Sequence, residues 1–217
     1  MKTNVYIDAG NLYFGLLKRH PEWKWLDLVA LVKALVRSDH EICEIKYFTS
    51  RIKTHPHDDA AIERQNVYLQ ALEARGGVRI IYGGYNKNKI FLPSVDQRCL
   101  DCDVSTRGLV RVMKFEEKRT DVNIATELLH DAYTGGIDSF VLISGDSDFI
   151  APLVLIRHEL GRQVVVFNPK DRRSDLANYA SFYKDIPRDL PSMCQLPDAI
   201  PIGTRGNLIC RPAAWRL

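Results

Sequence analysis

The stretch Ser139-Phe140-Val141-Leu142-Ile143-Ser144-Gly145-Asp146-Ser147-Asp148 decides the fold. An unbroken apolar run with no polar alternation reads as a strand buried on both faces, the kind that forms parallel sheets covered by helices. The run stops on Ser, Gly and Asp, the chemistry that ends a strand and opens a helix. Working outward, Val5-Tyr6-Ile7 is a shorter strand that stops in the same way at Asp8-Ala9-Gly10-Asn11. Glu41–Thr49, 78–82 and 163–167 are further strands, with Gly76-Gly77 closing the helix before the second of these. Apolar spacing predicts helices over 26–36, 58–75, 121–133 and 148–160, the third with Val122, Ala125, Leu129 and Ala132 on its apolar side. Strand alternating with helix predicts a three-layer α/β/α domain around a mainly parallel central sheet.

The composition agrees. With 217 residues, 46% hydrophobic and 26% charged, the chain falls outside disordered, collagenous and coiled-coil classes. One domain over 1–186 is expected, interrupted by a loop or hairpin excursion at about 83–108. The Pro-rich stretch 187–217 is expected as an irregular C-terminal extension packed on it. No apolar run approaches the ~20 residues that cross a bilayer, so no membrane partner is expected. The opening residues enter a strand and meet Asp8 at once, which is unlike a signal peptide and gives the expectation of a soluble, cytoplasmic protein. The five cysteines are odd in number and scattered, which favours reduced thiols over a disulfide framework. Cys99-Leu100-Asp101-Cys102 is half of a zinc site; no second close pair follows, so structural Zn²⁺ is the disfavoured reading. A homo-oligomer is compatible with all of this.

In open parallel sheets, ligands bind beyond the carboxyl ends of the strands. Asp8 follows the first strand, Asp146 and Asp148 follow the strand at 139–143, and Asp121 opens a helix with Glu127 further along it. Carboxylates gathered at one edge repel each other and are tolerated when a cation lies between them. Oxygen-only ligands suit Mg²⁺ or Mn²⁺ better than Zn²⁺. Each Asp taken alone is more readily a helix cap or turn residue than a ligand. Capping does not explain why all of them fall at one edge of one sheet.

The net charge of +3 is compatible with a nucleic-acid partner without establishing one. Arg51, Lys53, His55 and His57 follow the second strand and Arg64 lies on the next helix, so this basic loop could grip RNA phosphates or simply be solvated. Lys170-Asp171-Arg172-Arg173 could form a second wall. In the excursion, Tyr85 and Phe91 stand among Lys87 and Lys89, where they could stack unpaired bases or pack on one another. A haloacid-dehalogenase-like phosphatase would need an Asp where Gly10 stands, and a dinucleotide site would need a Gly-rich turn that Asp8–Asn11 lacks.

Three segments taken together, Tyr6-Ile7-Asp8-Ala9-Gly10-Asn11, Glu117-Lys118-Arg119-Thr120-Asp121-Val122-Asn123-Ile124-Ala125 and Leu142-Ile143-Ser144-Gly145-Asp146-Ser147-Asp148-Phe149, resemble the motifs of NYN domains. These are PIN-like nucleases, and the likeness is to their LabA-like branch. The resemblance implies a PIN-like fold and a Mg²⁺- or Mn²⁺-dependent ribonuclease, an endonuclease acting on RNA. Carried over by position, Asp8, Asp121, Asp146 and Asp148 would bind the metal, Asn11 would orient Asp8 or a water, and Ser144 would support the phosphate or the metal's surroundings. Arg51, Lys53, Arg64, Arg172 and Arg173 are the expected RNA contacts. Glu127 stands where the family often has Asp. The alternative is an RNA-binding or regulatory adaptor on the same fold with little turnover.

Overall fold

A computed structural model describes residues 1–53, 58, 60–93, 109–203 and 206–216. The chain runs β1 (Lys2–Asp8), α1 (Ala9–Leu12, continued by a wider turn Tyr13–Leu17), α2 (Leu28–Leu35), β2 (Glu41–Thr49), α3 (Ala60–Arg75) and β3 (Arg79–Tyr82). A hairpin follows, β4 (Gly84–Pro93) with β5 (Leu109–Lys118), then α4 (Thr120–Thr134), β6 (Ser139–Ile143), α5 (Ile150–Val154), β7 (Gln163–Asn168) and β8 (Phe182–Asp185). Six strands form one sheet in the order β3-β2-β1-β6-β7-β8, and every neighbouring pair is parallel. The chain builds outward from β1 in one direction and from β6 in the other. The crevice where the strand order reverses therefore opens between the carboxyl ends of β1 and β6.

Alternation along the strands divides the interior into two cores. Val5, Ile7, Val141, Ile143, Val165 and Phe167 face one; Tyr6, Phe140, Leu142, Val164 and Val166 face the other. The first is covered by α1, α2, α3 and the C-terminal segment, the second by α4 and α5. Three layers result, as expected from the apolar strands.

Local details differ from the sequence expectation for identifiable reasons. In α4 the buried stripe is Ile124, Leu128 and Ala132, while Val122 is 67% exposed. The helix is rotated by its entry, where Thr120 turns inward and donates to the Glu117 carboxylate. The expected helix at 148–160 is three pieces: a tight turn at Ser147–Phe149, α5, and a wide turn at Leu155–Glu159. Pro152 suits the first turn of α5, where its missing N–H needs no partner. The excursion is an antiparallel hairpin outside the sheet, reaching Lys118. Its tip, with Cys99 and Cys102, lies outside the described residues. β8 was not expected, because Phe182-Tyr183-Lys184-Asp185 is an exposed edge with little apolar pattern.

The stretch after Pro187 is more regular than expected. It forms α6 (Leu190–Met193) and a hairpin of β9 (Ala199–Ile202) with β10 (Asn207–Cys210). Leu190, Leu196, Ile200, Ile209 and Trp215 join the first core. The fully buried Trp25 anchors this segment: its ring lies 6.1 Å from Tyr68 and 6.3 Å from Trp215, and its indole donates to the Pro197 carbonyl at 2.9 Å. No helix among the described residues is long and apolar enough to cross a membrane.

One charged group sits inside the second layer. Lys46 of β2 is 1% exposed, with its ammonium 2.5 Å from Asp131 and 2.7 Å from Glu127, both on α4. The Tyr6 hydroxyl and the Asn4 amide also donate to Asp131. Burial pulls the Lys46 ammonium down, but its bonds to Asp131 and Glu127 outweigh this and hold it above the usual lysine value. Burial likewise raises Asp131, but Lys46, Tyr6 and Asn4 prevail and hold its carboxyl below the usual range. Lys46→Met, which strands Asp131 without a cation and leaves Glu127 to Arg79 alone, is expected to destabilise the fold by about 3–5 kcal/mol in urea titrations at pH 7. The loss should shrink below about pH 4, where the Asp131 and Glu127 carboxylates are protonated.

Candidate functional site

Asp8 ends β1 and is 3% exposed. It sits at the start of α1, where its Oδ1 accepts the backbone N–H of Asn11 at 2.9 Å. Its Oδ2 accepts the Asn11 side-chain amide at 2.7 Å and the buried Ser144 hydroxyl at 2.9 Å. Ser144 follows β6, the parallel neighbour of β1, so the pairing of these strands brings the two side chains together. The Ser144 Oγ also accepts the Asp146 N–H at 3.1 Å. The Asn11 side-chain amide oxygen, Oδ1, accepts the Gly145 N–H at 3.3 Å. Gly145 tolerates no side chain, because a Cβ there would collide with the Asn168 amide oxygen. Asp146 caps the next turn by accepting the Asp148 N–H at 3.1 Å.

Beyond these strand ends lies a cleft of ≈ 260 Å³ lined by Asp8, Asn11, Asp121 and Asp146, together with Glu117, Phe14 and Lys170. Asp121 arrives from the first turn of α4, Glu117 from the end of β5. Arg119 between them has φ 72°, the one non-glycine at positive φ among the described residues. A left-handed arginine is unfavourable, and such strain is sustained where surrounding contacts over-determine it. Here the turn reverses the chain so that Glu117 and Asp121 reach the same cleft. Asp148 does not line the cleft; it is exposed in the turn capped by Asp146, yet its charge bears on Asp121.

The electrostatics follow. Burial is the largest cause that raises the Asp8 carboxyl; its hydrogen bonds to Asn11 and Ser144 oppose it, and the Asp146 charge adds to it. Desolvation, then the charges of Asp8, Asp146, Asp148 and Glu117, push Asp121 up to about 6. The side-chain oxygens of the described lining residues are four carboxylates with the Asn11 amide and the Thr120 hydroxyl, and no thiol or imidazole is among them, a set suited in kind to a hard divalent cation. No three His, Cys, Asp or Glu side chains among the described residues already stand close enough to share an ion.

Other expected residues fare unevenly. Glu127 is absent from the cleft and pairs with Lys46 and Arg79. Six residues along a helix from Asp121, it is displaced by about 9 Å and about 240° of rotation. Arg64 is paired with Asp58, and Arg51 packs over the Tyr82 ring at 4.7 Å while bonding its hydroxyl. Arg172 and Arg173 are exposed, the latter over Tyr183, and neither lines the cleft; Lys170 of the same run does. Lys53 is exposed, and His55 and His57 lie outside the described residues. Sequence reading missed Glu117 and Phe14 as cleft residues. Phe14, 66% exposed, carried a faint signal as an aromatic one helical turn and a half beyond Asp8.

The crowding of acids has a measurable sign in the metal-free protein. A carboxyl raised to about 6 when folded holds its proton more tightly than the unfolded chain, so stability falls as pH rises from about 4 to about 6. Asp121→Asn is therefore expected to raise the Tm of the metal-free protein at pH 7–8 and to leave it nearly unchanged at about pH 4. Tm measured across that range by circular dichroism in EDTA checks this.

The sequence profile of the NYN domain matches residues 2–186. A 6-hydroxy-3-succinoylpyridine 3-monooxygenase of Pseudomonas putida is 30% identical, the match covering 99% of this chain and 75% of that protein. Among solved structures, a Vibrio parahaemolyticus protein of unknown function aligns at 19% identity with a TM-score of 0.48, over 87% of this chain and 94% of that one. A Sir2-homologue mutant in complex with 2′-O-acetyl ADP ribose aligns at 12% identity with a TM-score of 0.36, over 88% of each. The parallel three-layer sheet, the acids at its strand-order reversal and the profile match over most of its length agree: the chain belongs to the NYN domain family.

Proposed function

We propose that the cleft is the centre of a Mg²⁺- or Mn²⁺-dependent ribonuclease that cleaves RNA phosphodiester bonds, with Asp8, Asp121 and Asp146 holding the metal and Asp148, just outside the cleft, reaching it through water. The observation that carries this reading is the convergence of Asp8, Glu117, Asp121 and Asp146 in one cleft, with Asp121 pushed up to about 6. Acids arranged at such a cost to themselves are characteristic of functional sites. A divalent cation bound there would neutralise charge on the phosphate and activate a water. The chain's own residues do the positioning. Asp8 is fixed before substrate arrives by Asn11 and Ser144, so it need not reorganise during reaction. Lys170 offers an ammonium to a phosphate oxygen, and Phe14 offers a ring to an adjacent base. Exposed Lys53, Arg172 and Arg173 extend the cationic surface, whereas Arg51 and Arg64 are already engaged with other partners.

The test is cleavage of labelled single-stranded and structured RNA by wild type and Asp146→Asn, with Mn²⁺, Mg²⁺ or EDTA. Asn keeps the oxygen that caps the following turn, so the fold should survive. Wild type is expected to cleave only with metal, and Asp146→Asn to lose more than about 100-fold, since even changes behind the ligands commonly cost 10–100-fold. No cleavage across the panel would overturn the reading; metal-independent RNA binding by both proteins would then favour the adaptor.

A second reading comes from the Pseudomonas putida relative, and one feature favours it. The Phe14 ring and the Lys170 ammonium bound a cleft of a size for a small aromatic carboxylate. Monooxygenation inserts one atom of dioxygen, reduces the other to water and consumes two electrons from a reductant. Oxygen uptake dependent on 6-hydroxy-3-succinoylpyridine, with reduced nicotinamide and flavin supplied, would favour it; uptake unchanged by that compound is the outcome expected of the ribonuclease.

A further inference from the structure

The β4–β5 ribbon stands outside the sheet, and its register, from Gly84 opposite Lys118 to Pro93 opposite Leu109, sorts its side chains onto two faces. One face carries Tyr85, Lys87, Lys89 and Phe91 from β4 beside Phe115 and Arg111 from β5. Rings and cations interleave on it. Lys87 lies 5.8 Å from the Phe115 ring, Arg111 lies 6.0 Å from the Phe91 ring, and Tyr85 stacks on Phe115 at 6.4 Å. Phe91 is 61% exposed. The foot of this face is Glu117, opposite Tyr85, and Glu117 lines the carboxylate cleft. On the reverse face, Lys114 and Lys118 are both spent on Glu116, at 3.1 and 3.0 Å.

We propose that the Tyr85–Phe91 face is a docking platform for single-stranded RNA, guiding the strand into or out of the cleft. It rests on the ribonuclease reading and adds the path of the substrate. Among the described residues of this face three cations face outward and the acid is at the foot, so the potential is complementary to a phosphate backbone and turns acidic where the cleft begins. Alternating rings and cations meet the two repeating parts of an unpaired strand, bases that stack and phosphates that bind cations. A duplex keeps its bases inside and offers such rings nothing to stack on. A second copy of this chain docking through the same face would set Lys87, Lys89 and Arg111 against their own copies, which disfavours that occupant.

Fluorescence anisotropy with a labelled, unstructured RNA of roughly 15 nucleotides tests this in EDTA over a range of salt. Lys87→Ala/Lys89→Ala is compared with Lys114→Ala/Lys118→Ala, which removes the same charge from the reverse face. All four positions are exposed, so the fold should survive in both, checked by circular dichroism. The first pair is expected to weaken binding about tenfold and to reduce the salt slope by about 1.4, the second to change affinity less than about twofold. Phe91→Ala is expected to weaken binding about fivefold or more with the slope unchanged. Equal loss from both lysine pairs, no loss from the first, or no binding by wild type would overturn the platform. Hydrolysis of a small chromogenic phosphodiester with Mn²⁺ separates it from the reading beneath it, because such a substrate cannot reach the ribbon. Hydrolysis intact with face-independent RNA binding sinks the platform alone. No hydrolysis and no RNA cleavage, with face-selective binding retained, sinks the nuclease and leaves the platform.

Discussion

The parallel pairing of β1 with β6 is the constraint on which the rest turns. Thr3 to Ile7 lie in register with Ser139 to Ile143, so the residues that follow, Asp8 and Ser144, are delivered side by side. Their hydrogen bond closes the reversal point of the sheet from the inside. Around that bond the two loops lock together: Asn11 serves both Asp8 and Gly145, and Ser144 serves both Asp8 and Asp146. The cleft is thus built on backbone already fixed by two apolar cores.

Capping and site formation, which compete when each Asp is read alone, are the same event here. Asp8 caps α1 and Asp146 caps the turn that leads into α5, and both line the cleft. A parallel strand ends where a helix begins, so the side chain that satisfies the helix's first N–H groups stands at the carboxyl edge of the sheet. Asp121 is the exception: Arg119 occupies the capping position, leaving Asp121 with no cap to serve.

What could be read from the sequence was what is encoded locally. Strands β2 and β6 have the bounds their apolar runs foretold, and the order of strand and helix gave the layers. Asp8, Asp121 and Asp146 were found because strand ends and helix starts mark them. Glu117 was not, because its arrival depends on the left-handed turn at Arg119, a conformation that Arg does not announce. Lys46 was silent for a related reason. A lysine amid Ile45, Tyr47 and Phe48 reads as the solvent side of a strand until two acids on α4 are brought over it. Glu127 shows the reverse failure, since one-dimensional nearness to Asp121 says nothing of the turn of helix between them.

The two ends of α4 handle the same chemistry in opposite ways. Glu127 and Asp131 are neutralised by Lys46 and Arg79, so that stretch of the helix is electrostatically quiet. Asp121, one residue into the helix, feels the charges of four other acids. The helix therefore confines its frustration to a single end while the remainder keeps its register. Such a division lets repulsion at the cleft be relieved or deepened by whatever enters without loosening the sheet, because the quiet end holds α4 against β1 and β2. The two halves can therefore vary separately: substitutions around Lys46 bear on how α4 is held against the sheet, whereas substitutions around Asp121 bear on the charge of the cleft.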